Sequence, residues 1–426
     1  MTRKMMDSGV EWIGMIPDGW NTFSAFQIFS RVDCKNVGVK ERNLLSLSYG
    51  RIKRKDIESA DGLLPESFEG YNIIEAGDIV LRLTDLQNDQ KSLRVGYSRE
   101  RGIVTSAYLT IRNNSDNVPE YLYYYWHTFD ICKGFYGLGA GVRQGLNWEG
   151  LKNLRIALPL PSVQNKIVEL LNKQCATIDD VIAKTTESIE EYKKLRQAVI
   201  TEAVTKGVRG KRSMKDSGNE WIGLIPDGWK RVKLSRLAKR IGDGLHGTPV
   251  FDDKGEFFFI NGNNLGKERI EIKDNTKLVS ASVATLYHIP LTLNTILISL
   301  NGTIGSISFY NNEQIILGKS AGYILLNDDV DKRYVAYYLQ CNPVKVIYAL
   351  SLAGTTIPNL SLETLRSTPV VLPDDKEQQE IVKYLDSKCA AIDSLISKKQ
   401  QFIDELTAYK KSLIYEYVTG KKEVPA

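Results

Sequence analysis

Three stretches of this sequence approach known cofactor or catalytic motifs, and each departs from the pattern that its chemistry needs. Gly-Lys-Ser at 318–320 resembles the end of a phosphate-binding loop, but that loop also needs a glycine where Glu313 stands. The alternating glycines at 137–141 have the wrong spacing for a dinucleotide-binding turn and follow no predicted strand. Asn-Pro-Val at 342–344 is the nearest approach to the Asn-Pro-Pro-aromatic motif of adenine methyltransferases. The sequence therefore predicts neither a nucleotide-binding loop nor methyl transfer by this chain.

Residues that could hold a catalytic metal ion are also sparse. Asp252 and Asp253 precede Glu271-Ile272-Lys273, a weak similarity to a magnesium-dependent nuclease core. Nothing comparable recurs in the first half of the chain, and such spacing arises easily on solvated hairpins. The three histidines give few ligands for a metal, and the five cysteines include no Cys-x-x-Cys pair. We therefore expect no catalytic residue and no metal site, with a nuclease as the less favoured alternative.

The composition is that of an ordinary globular protein large enough for two domains. The chain has 426 residues, of which 42% are hydrophobic and 25% are charged. Its longest apolar stretch, near residues 295–300, is far shorter than the roughly 20 residues that span a bilayer. The N-terminus lacks the apolar core of a signal peptide. We expect a cytoplasmic protein without a membrane partner, and the net charge of +5 permits nucleic acid as a partner.

The chain repeats one plan twice. Residues 5–20 (MMDSGVEWIGMIPDGW) and residues 214–229 (MKDSGNEWIGLIPDGW) are identical at 13 of 16 positions. A second matching pair follows later in each half, beginning at Gln164 and at Gln378. The order of parts is therefore a short motif, a divergent segment and a long recurring segment, repeated once.

The recurring segments have the heptad pattern of long helices that pair along their length. Asp374 with Glu377 predicts a capping box at the start of the second helix, and Gly207 and Gly420 stand where C-terminal stops belong. Two such helices in one chain most simply pair antiparallel about a pseudo-twofold axis. Two separate amphipathic helices, each packed on its own domain, remain the alternative. The predicted helix seam consists of Val168, Leu171, Cys175, Ile178, Ile182, Ile189, Val382, Leu385, Cys389, Ile392, Ile396 and Ile403.

The divergent segments, residues 21–158 and 230–372, have the same kind of content but different sequences. Short alternating runs with turn signals predict strands, and each segment has one aromatic helix late in its course. We predict an α/β (α+β) fold with two domains of mixed strands and helices. Two long antiparallel coiled-coil helices separate these domains in a pseudo-twofold internal repeat.

The order of parts, the DSGxEWIGxIPDGW motif and the helix endings ITEAVTKG and IYEYVTGK resemble the specificity (S) subunits of type I restriction-modification enzymes. The resemblance covers nearly the whole chain. It implies a non-catalytic, DNA-binding subunit of a prokaryotic defence system. In that family each divergent segment is a target recognition domain for one half of an asymmetric, interrupted DNA site. The implied division is 1–20, first motif; 21–158, recognition domain 1; 159–210, central helix; 211–229, second motif; 230–372, recognition domain 2; 373–426, C-terminal helix.

The resemblance also implies partners and cofactors. Double-stranded DNA and two modification (methyltransferase) subunits are the expected partners, to which two restriction subunits can add. S-adenosylmethionine would be bound by the modification subunits, ATP and magnesium by a restriction subunit, and no cofactor by this chain. The alternatives are a stand-alone bipartite DNA-binding protein and a specificity subunit whose modification and restriction partners are fused.

Candidate DNA-binding residues are the polar and basic side chains in predicted loops, because phosphates are bound by Lys, Arg and hydroxyls, and bases by Arg, Asn or Gln. GDGLHGTP from Gly242 and FINGNNL from Phe259 also resemble a recurrent recognition-domain pattern that the first half lacks. The two halves should therefore recognise different sequences. The candidates are Arg51, Lys53, Arg54, Lys55, Arg143 and Gln144 in the first segment, and His246, Thr248, Asn261, Asn263, Asn264, Lys319 and Thr355 in the second.

Overall fold

The computed structural model describes residues 3–58, 67–86, 89, 93–138, 145–266, 268–353 and 358–425. The chain divides into two compact units, one formed by Met1–Thr185 with Gln401–Ala426 and the other by Thr186–Gln400. Both units mix helices with strands, as the sequence predicts, and most of the strand pairs are antiparallel. Within the described ranges, no helix is both long enough and apolar enough to cross a membrane.

The first unit is built on a four-stranded antiparallel sheet. Its strands lie in the order Phe29–Arg31, Leu109–Asn113, Ile79–Leu81 and Val95–Tyr97. The aromatic helix Pro119–Ile131 buries Tyr121, Tyr125 and Trp126 in the core beneath this sheet. Paired strands complete the unit: Met5–Asp7 with Met15–Pro17, Asn21–Ser24 with Arg155–Leu158, Asn72–Ile74 with Gly102–Val104, and Leu45–Ser48 with Arg51–Arg54. Its short helices are Ala25–Ile28 and Trp148–Leu151.

The second unit repeats this arrangement and adds a further sheet. Its four-stranded antiparallel sheet has the order Ala238–Asp243, Ala321–Leu326, Thr295–Ser299 and Ile307–Phe309. The added sheet has the order Leu278–Val279, Phe257–Ile260 and Ile315–Leu317, with its last two strands parallel. The remaining strand pairs are Met214–Asp216 with Leu224–Pro226, Lys230–Lys233 with Pro369–Leu372, and Leu265–Gly266 with Arg269–Ile270. The shorter helices are Leu234–Arg236, Gly262–Asn264, Ala281–Leu286, Lys332–Leu339, Asn342–Leu352 and Leu362–Ser367.

The four-stranded sheets of the two units have the same strand order. In each of these sheets, the strand that comes first in the chain pairs with the strand that comes last, and the last strand also pairs with the second. The strands Leu109–Asn113 and Ala321–Leu326 occupy the same place in this order. The two divergent segments therefore share one scaffold.

The two long helices are Pro161–Lys206 and Asp375–Val418. Gly207 and Gly420 follow them with positive φ, the conformation that ends a helix at glycine. At the start of the second helix, the backbone N–H of Glu377 donates to Asp374 Oδ1 at 2.8 Å. The predicted capping box is only half present, because the Glu377 carboxylate is bound instead by Arg212 and by the indole N–H of Trp229.

Nine of the twelve predicted seam residues are buried, and the other three, Ile182, Ile396 and Ile403, are half-buried. In the first unit, Val168, Leu171, Cys175 and Ile178 are buried with Leu413 and Val418 of the other helix, while Ile182 and Ile403 are half-buried. In the second unit, Val382, Leu385 and Cys389 are buried with Ile200 and Val204. Ile189 and Ile392 are also buried there, and Ile396 is half-buried.

The second unit also shows the direction of this pairing. Arg196 binds Asp393 at 3.0 Å, and Lys399 lies over the Tyr192 ring. Partner numbers therefore rise on one helix as they fall on the other, so the two segments run antiparallel in this unit.

Matching contacts recur in the two units. Tyr121 donates from its hydroxyl to the carbonyl of Val418 at 2.8 Å. The Tyr334 hydroxyl donates to the carbonyl of Val371 at 2.7 Å and lies 3.4 Å from the carbonyl of Val204. Val418 and Val204 both lie in the last turn of a long helix, where carbonyls have no helical partner. Likewise Tyr124 bonds to Asn172 and Tyr337 to Asp386, both at 2.7 Å. Lys410 with Asp179 and Arg196 with Asp393 form a third matching pair. The duplication thus preserves contacts between the aromatic helices and the long helices.

Candidate functional site

A polar cleft of about 420 Å³ opens beside the added sheet of the second unit. The chain after Ala238–Asp243 forms one wall, where Leu245 bridges Gly318 in parallel and its N–H donates to Leu317. Gly244 is required there, because a Cβ atom at this position would lie 2.0 Å from the carbonyl oxygen of Leu317. The short helix Gly262–Asn264 and the loop at 273–277 form the other wall.

The structure brings six of the seven candidates from the second segment into this one cleft. Its lining includes His246, Thr248, Asn261, Asn263, Asn264 and Lys319. The seventh, Thr355, lies outside the described residues. These candidates are far apart in the sequence, so their shared position depends on the parallel pairing of Phe257–Ile260 with Ile315–Leu317.

The three candidate asparagines of the cleft have different surroundings. The Asn264 side chain is buried: its Oδ1 accepts from the N–H of Asn261, and its Nδ2 donates to the carbonyl of Glu271 at 3.0 Å. The Asn263 side chain is exposed. The Asn261 side chain is half-buried, and its Oδ1 accepts a hydrogen bond from the Ser320 hydroxyl at 2.9 Å. Asn264 therefore stabilises the fold, whereas Asn261 and Asn263 face the cleft.

Two lysines that the sequence did not single out as DNA-binding candidates add positive charge to this cleft. Lys273 and Lys277 are exposed and line it with Lys319. In the sequence, Lys273 stood out only as part of the weak nuclease similarity. In the structure, the backbone N–H and carbonyl of Glu271 from the same stretch bond to Asn264. Across the described part of the chain, no group of three or more His, Cys, Asp or Glu side chains could hold a metal ion. The cleft is thus a cationic site with amide groups.

The cleft also has one histidine and an aromatic wall. His246 is largely exposed, and its Nε2 lies 2.7 Å from Oδ2 of Asp243, which holds the ring in place. Phe251 and Phe259 contact each other edge to face, with ring centroids 5.7 Å apart. Amide donors, cations and aromatic surface are the groups that bind base edges, phosphates and sugars.

In the first unit the candidates lie on an exposed hairpin. Tyr49 and Gly50 both have positive φ, which forms a tight two-residue turn between Leu45–Ser48 and Arg51–Arg54. Arg51, Lys53, Arg54 and Lys55 are all exposed. Arg143 and Gln144 lie outside the described residues.

Two of the hairpin arginines already have acidic partners. Arg54 Nε donates to both carboxylate oxygens of Glu100, at 2.9 and 2.8 Å, and this contact raises the pKa of Arg54 above its ordinary value. Arg51 lies 3.5 Å from Asp179 of the long helix. Lys53 and Lys55 are the hairpin cations whose side chains have no hydrogen-bond or ion-pair partner among the described residues. The freely available positive charge of the hairpin is therefore smaller than the sequence suggests.

Comparisons with known proteins agree with one another. Residues 226–405 match the family model described as the type I restriction modification DNA specificity domain. The chain is 24% identical to the putative type I restriction enzyme MjaX specificity subunit of Methanocaldococcus jannaschii, over 97% of this chain and 96% of that protein. It is also 24% identical to the type I restriction enzyme MjaVIII specificity subunit of the same organism, over 76% and 75% of the two chains.

A solved structure supports the fold. A chain from work on complex assembly and conformational transition of the type I R-M system aligns with a TM-score of 0.69. The alignment covers 96% of this chain and 99% of that chain at 17% sequence identity. At this identity the likeness concerns the fold, and it extends over both units.

Proposed function

Because the chain belongs to the specificity subunits of type I restriction-modification systems, we propose that it recognises an asymmetric, two-part DNA site. The observation that carries this proposal is the cleft of the second unit, in which six predicted DNA-binding residues lie together. Exposed Lys273, Lys277 and Lys319 would bind phosphates, and the amides of Asn261 and Asn263 would bind base edges. This unit would then recognise one half of the site.

The first unit would recognise the other half through its hairpin. The hairpin tip carries Tyr49, whose side chain is 79% exposed, and the strand after it carries exposed Arg51 and Lys53. A two-stranded ribbon is narrow enough to enter the major groove. Because the hairpin and the cleft have different residues on a shared scaffold, the two half-sites would differ in sequence.

We further propose that the long helices pair as an antiparallel coiled coil and carry the docking surface for two modification subunits. Support comes from large apolar side chains that remain exposed on the helices beside the seam. They include Phe402 and Tyr409 in the first unit, seven residues apart on one helix face, and Leu195 and Leu395 in the second. Exposed apolar groups in a regular row are typical of a protein interface. The modification subunits would supply S-adenosylmethionine and the methyl transfer, and this chain would be non-catalytic and cytoplasmic.

A salt titration tests the DNA-binding role of the cleft. The triple variant K273Q/K277Q/K319Q should weaken DNA binding and reduce the dependence of log K on log salt by about 2–3, since each neutralised phosphate contributes about 0.9. The matched control is Lys398→Gln, an exposed lysine on the long helix of the same unit. An unchanged salt dependence in the triple variant would contradict the proposal.

Methylation-aware sequencing of the host genome tests the rest of the proposal. An interrupted, asymmetric methylated site should be present when the gene is intact and absent when it is deleted. DNA binding with no associated methylation and no copurifying methyltransferase would instead indicate a stand-alone DNA-binding protein.

A further inference from the structure

We infer that Asn261 is a specificity-determining residue, whose amide is held by Ser320 so that its amino group donates to a hydrogen-bond acceptor on one base. The inference rests on the proposed DNA recognition by the second unit. It separates Asn261 from the other asparagines of the cleft, which the sequence does not distinguish.

The hydrogen bonds of Ser320 fix the orientation of the Asn261 amide. The backbone N–H of Gly262 donates to Ser320 Oγ at 2.8 Å, so that oxygen is already acting as an acceptor. The hydroxyl hydrogen of Ser320 must therefore be donated elsewhere, and the atom within reach is Asn261 Oδ1 at 2.9 Å. If the amide were reversed, Gly262 N–H and Asn261 Nδ2 would both donate to Ser320 Oγ, and the hydroxyl hydrogen of Ser320 would have no acceptor. Nδ2 is thus on the opposite side of the amide from Ser320.

The Asn261 amino group has no partner among the described residues. Asn261 is half-buried and lines the cleft, so its amino group is accessible from there. The amino group of Asn264, in contrast, is used by the carbonyl of Glu271. Two N–H donors of Asn261 therefore remain for a ligand.

Close packing keeps the amide in this position. A Cβ atom at Gly318 would lie 2.4 Å from Asn261 Oδ1 and 2.9 Å from the Phe259 ring. Only glycine leaves room for the asparagine side chain there. The Gly-Lys-Ser stretch at 318–320 thus has a clear use: glycine gives space, the lysine is exposed in the cleft, and the serine orients the amide. Such preorganisation lets a single hydrogen bond discriminate between bases.

The chemistry of the base edge defines the partner of this amino group. In the major groove, purines present N7 as an acceptor, and guanine O6 and thymine O4 are acceptors, whereas cytosine presents only a donor. Ser320 would act as a positioning residue, because it touches Asn261 and not the DNA.

The experiment uses the full chain with its copurifying subunits and a DNA duplex that carries the mapped site. Each purine of the half-site recognised by the second unit is replaced in turn by its 7-deaza analogue, and each thymine by a base without O4. At one position the substitution should weaken wild-type binding by about 3- to 10-fold, the value of one net hydrogen bond. In Asn261→Ala the same substitution should have no effect, and Asn311→Ala, at an exposed asparagine of the same unit outside the cleft, is the matched control that should keep the wild-type response.

Ser320 is tested by two variants in the same assay. Ser320→Ala should lose the response to the modified base, and Ser320→Thr, which keeps the hydroxyl, should retain it. If Ser320→Ala does not fold, because the buried N–H of Gly262 loses its acceptor, the comparison of Asn261→Ala with Asn311→Ala still decides. Specific wild-type binding with an unchanged response in Asn261→Ala would overturn the inference alone. Absence of any specificity in this half-site would overturn the proposed function.

Discussion

The buried carboxylate of Glu377 provides a sharp test of how the second copy of the repeated motif is attached to the long helices. Its side chain is 3% exposed and lies where the long helix begins. Arg212 Nη1 is 2.6 Å from Oε1, and Trp229 Nε1 donates to Oε2 at 3.0 Å. Arg212 also donates to the carbonyl of Lys206, in the last turn of the other long helix. One carboxylate therefore connects the repeated motif to both helices of this unit.

The first repeat shows that the same position can be apolar, because Val163 stands there in the matching helix. In Glu377→Val, however, Arg212 would lose its counter-charge and the indole N–H of Trp229 would lose its acceptor. Breaking a buried ion pair costs about 3–5 kcal/mol. Since Arg212 keeps some access to water, we expect a loss of about 3 kcal/mol in the free energy of unfolding. Glu377→Gln keeps an acceptor for Trp229 but also removes the counter-charge of Arg212, so we expect an intermediate loss of about 2 kcal/mol.

Urea unfolding gives the free energies, and hydrogen exchange of the strand Lys230–Lys233 shows whether the loss lies in this unit. The double variant E377V/R212M should regain most of the stability, because an apolar pair replaces a stranded charge. Glu380→Gln is the control, since the pair of Glu380 with Arg209 is exposed and should contribute under about 1 kcal/mol. A cost below about 1 kcal/mol for E377V would refute the reasoning.

Contacts within the first unit give three further predictions. The Lys421 ammonium donates to the carbonyl of Ile13 at 2.8 Å, so the C-terminal segment contacts the first copy of the repeated motif. Joining the chain ends and opening the chain near Gly210 should therefore preserve site-specific methylation. A folded permutant that no longer supports this methylation would show that residues 5–20 and 214–229 do not have equivalent places in the two repeats. Burial raises the pKa of Asp130 to about 6, above its value in the unfolded chain, so the free energy of unfolding should rise by up to about 3 kcal/mol as the pH falls from 7 to 4. Urea unfolding of Asp130→Asn at the same pH values should lack this rise. Tyr121→Phe should cost about 1–3 kcal/mol in urea unfolding by leaving the Val418 carbonyl unpaired, whereas exposed Tyr409→Phe should cost nothing measurable.

The long helices could be predicted from sequence because their signal is local and periodic. The heptad series runs through both, and the glycines that end them stand directly after the last turn. The fate of Glu377 could not be predicted in this way. A glutamate three residues after an aspartate indicates a capping box, but Arg212 and Trp229 come from a distant motif and compete for its carboxylate. Tertiary contacts therefore overruled a correct local pattern.

The candidate cleft was predictable in its residue types and only partly in its membership. Polar residues after Gly242 and after Phe259 were identified because the motifs around them are unusual. Lys277 has no such motif, and it joins the cleft because its carbonyl accepts from the N–H of Phe259. Ser320 was hidden within a stretch that resembles a phosphate loop. A single sequence does not reveal that Ser320 bonds to Asn261 and orients its amide.

In the first segment, the sequence overstates the positive charge that is free to bind DNA. Arg51 and Arg54 stand in a basic run, which favours DNA contact. Their partners Asp179 and Glu100 lie far away in the sequence, so the compensation appears only after folding. DNA binding by these arginines would have to exchange or share existing ion pairs, and their net contribution would be smaller than that of Lys53.

The pattern of what recurs and what differs explains how one chain can recognise two sequences. Tyr124 and Tyr337 each bond at 2.7 Å to the same position of a long helix, Asn172 and Asp386, so the frame of each unit is set by contacts that the duplication kept. The cleft, in contrast, depends on the strand Phe257–Ile260 and its parallel partner. The described part of the first unit has instead the hairpin of Leu45–Ser48 with Arg51–Arg54 and a single parallel bridge between Leu44 and Ile103. A change in these loops leaves the tyrosine contacts intact. Because the frame and the recognition surface use different residues, specificity can change in one half without loss of the fold.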